Sequence, residues 1–162
     1  MEILLILNMN IILLTHEREV SKKTNTGVFV SSALGENARV VVWERKNPDP
    51  ELLAQIEKSK VALLYPTEDS EVVSAETDFD SYIVLDGTWQ EAQKIYNKSS
   101  YLKNLPKVKI EASTKSIYQL RRNQKPNGLC TAECVIELLK AKGIVSTAEQ
   151  LQSEFEAFVA VN

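Results

Sequence analysis

The sequence predicts an α/β fold built on a largely parallel sheet, and three observations carry that expectation. Apolar runs at residues 3–14, 39–43, 61–64 and 82–85 are each bounded by polar or turn residues, as strands buried on both faces are. Helix-forming stretches fall between them, at 25–34, 50–58 and 88–97. Strand and helix therefore alternate along the chain, which favours crossover connections and parallel pairing.

Each element has its own local reason. The helix at 25–34 follows the cap-rich Thr24-Asn25-Thr26. The one at 50–58 places Pro50 in the first turn, where a missing N–H costs nothing. Thr88-Trp89-Gln90-Glu91 has the spacing of a capping box, in which hydroxyl and carboxylate satisfy each other's backbone N–H. Further on, residues 108–112 read as a short strand and 115–126 as a basic irregular segment. A helix is expected over 131–142, with Ala132, Val135, Ile136 and Leu139 on one face. Gly143 stops it, and Ser146-Thr147-Ala148-Glu149 reads as a second capping box opening a last helix that carries Leu151, Phe155 and Phe158. No repeat or long linker interrupts the 162 residues, so one domain is expected.

Composition narrows the function classes. The apolar opening is broken by Asn8 and Asn10, lacks a basic leader and is shorter than a bilayer span. It reads as a core strand, and a cytoplasmic protein without a membrane partner is expected. Two cysteines, Cys130 and Cys134, form no disulfide framework, and His16 is the only histidine, so no metal site is expected. The net charge of −3 conceals a polarity. Residues 91–125 hold nine Lys/Arg and two acids, whereas the remainder holds ten basic and twenty acidic residues. A basic third on an acidic body suits oriented docking to RNA, although a solvated face with scattered lysines has the same composition.

Three segments are suited to chemistry. At Leu85-Asp86-Gly87-Thr88-Trp89 a buried strand ends in an acid, then a glycine, then a capped helix. Ligands of open α/β sheets bind beyond such carboxyl ends, and Gly87 permits close approach of a ligand. A cap and a core tryptophan would account for the same residues. Ser116-Ile117-Tyr118-Gln119-Leu120-Arg121-Arg122 is basic, with a tyrosine able to stack on a base, and leads to Leu129-Cys130-Thr131 at a helix start able to hold an anion. His16-Glu17 with Lys22, Lys23 and Asn25 forms a third polar loop after the first strand.

Taken in order, these segments resemble the DTW-domain family. The resemblance rests on Thr15-His16-Glu17 with Thr24-Asn25-Thr26-Gly27, Leu63-Leu64-Tyr65-Pro66, the Asp86-x-Thr88-Trp89 motif that gives the family its name, Ser116-x-Tyr118-x-x-Arg121, and Leu129-Cys130-Thr131-Ala132-Glu133. It covers roughly residues 10–160. It implies a SPOUT-like α/β fold, leaves open a knotted C-terminal part, and implies transfer of a 3-amino-3-carboxypropyl group from S-adenosylmethionine (SAM), as co-substrate, to a uridine of tRNA. Three departures stand out. Relatives often carry a cysteine-rich segment ahead of the first strand that is absent here. Val28 stands where a basic residue is common, and Cys130 replaces a usual serine.

Under that resemblance Asp86 is the candidate general base or base-orienting group, with Thr88 and Trp89 shaping the pocket around it. Tyr65, Pro66, Leu85, Gly87, Leu129, Cys130 and Thr131 would cradle SAM. Lys22, Lys23, Asn25, Tyr118, Arg121 and Arg122 would contact RNA, Arg121 alternatively holding the SAM carboxylate. A monomer or weak homodimer is expected. Two other readings remain open from the sequence: a SPOUT-type RNA methyltransferase, and a non-catalytic RNA-binding protein.

Overall fold

The structure is a computed structural model that describes residues 9–23, 25–111 and 130–161. Six strands form one sheet in the order β2-β1-β5-β3-β6-β4. They are β1 (Asn10–Thr15), β2 (Ala38–Val42), β3 (Val61–Leu64), β4 (Glu71–Val72), β5 (Ser81–Asp86) and β6 (Lys107–Lys109). Every pairing is parallel, with β5 held between β1 and β3. Among the described residues six α-helices accompany them: α1 (Gly27–Leu34), α2 (Pro50–Lys58), α3 (Trp89–Asn97), α4 (Ser100–Lys103), α5 (Thr131–Ala141) and α6 (Val145–Val161). The fold is of the expected α/β class, a parallel sheet with flanking helices. Whether the C-terminal part is knotted turns on residues 112–129, which lie outside the described residues.

Strand alternation sorts the core into two layers. Ile11, Leu13, Ala62, Tyr82, Val84 and Val108 pack against Val30 and Leu34 of α1 and against α5 and α6 through Val135, Leu139, Leu151 and Phe155. Ile12, Leu14, Leu63, Ile83 and Leu85 face the other way, onto Leu52 of α2, Ala92 and Ile95 of α3, and Leu102. All six residues of β5 are buried, which is why its central residues read as a continuous apolar run rather than an alternation. Deletion of a side chain such as Leu63 or Phe155, each 0% exposed, would cost about 2–5 kcal/mol.

The caps explain where the helices begin. Asp49 accepts from the N–H of Leu52 at 2.9 Å, and Pro50 follows it, so α2 covers the expected residues. The capping box at α3 is present: Thr88 Oγ1 accepts from Glu91 N–H at 3.2 Å, and Glu91 Oε1 accepts from Thr88 N–H at 2.9 Å. Helix α1 begins two residues later than expected, because the Asn25 side chain turns back to accept from Gly27 N–H at 2.9 Å. The second box at Ser146 is corrected. Helix α6 already begins at Val145, and Ala148 N–H bonds to the carbonyl of Ile144 at 3.3 Å, so Ser146 lies inside the first turn. Gly143 does stop α5, at φ 81°. The short β4 and α4 carry too few apolar residues to be legible beforehand.

Tyr82 is fully buried, and burial pushes its hydroxyl up to about 12, with Asp78 and Glu71 adding to the effect. The folded state therefore keeps this proton above the ordinary value of 10.0, where the unfolded chain releases it. Stability is fully present below that ordinary value and falls as pH rises from 10 towards 12. Chemical denaturation at a series of alkaline pH values should show Tyr82→Phe gaining on the wild type across this window. A constant difference between the two proteins would contradict the assignment.

Candidate functional site at the carboxyl edge of the sheet

The last residues of β1 and β5, Thr15 and Asp86, are register partners at the carboxyl edge. Asp86 is 3% exposed, and its carboxylate is surrounded by neutral donors. Thr15 Oγ1 donates to Oδ2 at 3.1 Å, Thr131 Oγ1 donates to Oδ1 at 2.9 Å, and Asn25 Nδ2 reaches both oxygens at 3.1 Å. Gly27 closes the cluster, since a Cβ there would lie 2.9 Å from Asp86 Oδ2 and 3.0 Å from Asn25 Oδ1. A side chain at this position would press on a carboxylate that has no room to move.

Asn25 links this acid to another. Its amide also donates to Glu19 Oε1 at 3.2 Å, and Lys22 Nζ meets Glu19 Oε2 at 2.9 Å. Glu19 is 1% exposed, so the lysine offsets a second buried negative charge. Asn25, expected to contact RNA, is thus engaged within the protein, Lys22 is exposed but paired with Glu19, and Lys23 is exposed. Thr26 completes the assembly by accepting from Ala132 N–H at 3.0 Å, which docks the start of α5 on the loop. That bond uses one of the helix N-terminal donors expected to hold an anion.

His16 is buried beside this cluster. Its Nδ1 accepts from Arg18 N–H at 3.1 Å, which leaves Nε2 as the protonated nitrogen of the neutral ring. Glu91 Oε2 lies 4.0 Å from the same Nδ1 and Trp43 lies 5.9 Å away, ring to ring. At Gly87 the space for a side chain is taken by Glu91, whose Oε1 would lie 2.8 Å from an added Cβ. The glycine therefore accommodates the capping box.

A cavity of about 260 Å³ opens beside the cluster at the same edge. Leu64, Tyr65 and Pro66 leave β3 on one side of it, Val84 and Leu85 of β5 form its floor, and Trp89 and Ala92 of α3 close one wall. Lys109, Ile110 and Cys134 complete the lining. Tyr65 stacks on Trp89 at 5.5 Å and on Tyr96 at 4.2 Å, so the aromatic wall continues along α3. The lining is chiefly apolar and aromatic with one ammonium, suited to a flat heterocycle carrying a polar or anionic group.

The structure brings together four of the expected site residues here: Tyr65, Pro66, Leu85 and Trp89. Asp86, Gly87, Thr88, Cys130 and Thr131 lie beyond the cavity lining, and Asp86 faces the polar cluster behind it. Cys130 sits against Glu133, and burial, reinforced by that carboxylate, pushes its thiol up to about 12. A thiol so held stays protonated and is a poor nucleophile at neutral pH. Leu129, Tyr118, Arg121 and Arg122 lie outside the described residues. Sequence reasoning missed Leu64, Val84, Ala92, Lys109, Ile110 and Cys134 as lining residues. Ala92 is one turn beyond Trp89, and Lys109 and Ile110 fall within the strand expected over 108–112, which the structure places at Lys107–Lys109. Among the described residues no group of three His, Cys, Asp or Glu is placed to hold a metal ion, and no helix is long and apolar enough to cross a membrane.

The chain is 26% identical over 130 residues to tRNA-uridine aminocarboxypropyltransferase 2 of Macaca fascicularis, covering 75% of this chain and 44% of that protein. It is 28% identical over 137 residues to the protein of the same name from Drosophila melanogaster, covering 80% and 54%. The chain thus spans about half the length of the curated relatives it matches. Among solved structures, the SAM-dependent rRNA:acp-transferase Tsr3 from Vulcanisaeta distributa superposes with a TM-score of 0.58 at 15% identity, over 95% of this chain and 85% of that one, a likeness of fold. The DTW-domain family model matches residues 2–161, and the chain belongs to that family.

Proposed function

We propose that this chain transfers a 3-amino-3-carboxypropyl group from SAM to N3 of a uridine in tRNA. The observation that carries the reading is the aromatic cavity at the carboxyl edge of a parallel sheet, the place where such folds bind ligands, in a chain whose relatives bear that activity in their names. The transfer forms a bond from N3 to the γ-methylene carbon and breaks the bond from that carbon to sulfur. The electron pair leaves with sulfur, and the N3 proton passes to a base or to solvent. Bound SAM supplies the sulfonium leaving group, so the protein's task is alignment and exclusion of water.

Trp89 is the ring suited to stack on the adenine, with Tyr65 packed between it and Tyr96 and with Pro66 and Leu85 setting the depth of the cavity. Lys109 is the charged group at its wall, suited to the carboxylate of the amino-acid part. Of the two roles read from sequence for Asp86, general base or base-orienting group, its surroundings favour positioning. Its lone pairs are engaged by Thr15, Asn25 and Thr131, and through them it fixes the edge against which the cavity is built.

Three measurements test this reading. Mass spectrometry of tRNA nucleosides after incubation with protein and SAM labelled in the carboxyl carbon should show the label on uridine; label only from the methyl carbon would identify a methyltransferase instead. Trp89→Ala should weaken SAM binding by about tenfold or more in calorimetry, the usual scale of a lost stacking contact, and unchanged affinity would remove this residue from the site. Asp86→Ala should abolish transfer and also lower the melting temperature, because buried donors left unsatisfied cost about 1–3 kcal/mol each. An inactive variant that melts like the wild type would return Asp86 to a direct part in proton removal.

A further inference from the structure

Residues 92–110 contain five lysines and no acid, the densest basic run among the described residues. Lys94, Lys98 and Lys103 are exposed, and Lys107 and Lys109 are half-buried. None of the five is paired with a carboxylate of the described residues, in contrast to Lys22, Lys60 and Lys140. Three of them follow the aromatic stack. Lys103 and Lys107 place their ammonium groups 5.9 and 5.6 Å from the centre of the Tyr96 ring. Tyr96 stacks on Tyr65, Tyr65 stacks on Trp89, and Lys109 stands at the cavity wall beside them. Lys107 and Lys109 are two residues apart on β6 and therefore share one face of the sheet.

Lys107 has a second task. It donates to the carbonyls of Lys103 at 2.8 Å and Leu105 at 3.0 Å, bracing the turn after α4. Lys103 is left as an exposed cation held at a defined position over an aromatic ring. A row of unneutralised ammonium groups beside stacked rings, ending at a cavity, has the chemistry that follows an RNA strand: phosphates beside the lysines and bases near the aromatic edges.

We propose that Lys103 and Lys107 form a phosphate track that leads the tRNA strand along α3 and α4 to the cavity, at whose wall Lys109 stands. This inference rests on the reading of the protein as a tRNA-modifying enzyme and adds a docking surface separate from the loop after β1. Lys103 is the sensitive probe, because it is exposed and takes no part in the cavity lining. Lys140, on α5 against the opposite face of the sheet, is the control.

The experiment measures binding of a tRNA transcript to the full chain across a salt series, together with SAM affinity and transfer. Lys103→Gln should weaken tRNA binding by about three- to tenfold and reduce the slope of log K against log salt by about 0.7–0.9, one phosphate contact's worth. Lys103→Glu should weaken it further, while both variants keep the SAM affinity and melting temperature of the wild type. Lys140→Gln should leave tRNA binding unchanged. Wild-type affinity and slope in Lys103→Gln, with transfer by the wild type intact, would overturn the track and leave the enzyme reading standing. Equal losses in Lys103→Gln and Lys140→Gln would reduce the effect to net charge and also overturn it. A wild-type protein that neither binds nor modifies tRNA would remove both proposals together.

Discussion

A single buried carboxylate organises this molecule. An ionised acid withdrawn from water is costly unless donors surround it, and Asp86, 3% exposed, is bonded by Thr15, Asn25 and Thr131. Those donors come from the end of β1, the loop before α1 and the first turn of α5. The acid therefore specifies how four parts of the chain meet. Gly27 follows from the same constraint, because only a residue without a side chain fits so close to the carboxylate and to Asn25. So does the start of α1, which is set by the Asn25 side chain that the acid holds in place.

Strand alternation gives the Asp86-x-Thr88-Trp89 motif its geometry. Leu85 faces the layer that contains α2 and α3, whereas Asp86, one residue on, turns towards α5 and the loop before α1. Thr88 then starts α3 and carries Trp89 back to the side of Leu85. Within four residues the chain contributes to both faces of the sheet edge, an acid to the polar cluster and an indole to the cavity. The motif is thus a junction between the two halves of the site, and its spacing is what the junction requires.

Much of this was legible from residue patterns, for physical reasons. The strands at 61–64 and 82–85 and the helix at 50–58 announce themselves because apolar runs and a proline at a first turn act locally. The edge location of the site was legible for the same reason: a strand, an acid and a capped helix are adjacent in sequence. The partners of Asp86 were not. Thr15, Asn25 and Thr131 lie 71, 61 and 45 residues away, and no local rule distinguishes a threonine that bonds a buried acid from one that meets water. Asn25 and Lys22 looked like RNA ligands because their side chains suit that task. Only the packing of Glu19 beside Asp86 reveals that they are engaged internally.

The position of Lys109 shows what this division of labour implies for specificity. The polar cluster is closed and satisfied, so its side chains have little left to offer a ligand; recognition falls to the cavity and its rim. There the apolar wall of Leu85 and Ala92 reads shape, and the rings of Tyr65 and Trp89 read aromaticity and have nothing to attract an anion. The ammonium of Lys109 is the only charged lining group among the described residues. A ligand with an anionic group is therefore favoured over its neutral analogue at this wall, and the same cation continues outward into the lysines along Tyr96. One strand, β6, thereby supplies both the charge within the cavity and the charge leading to it, although only its core residue Val108 was needed to build the sheet.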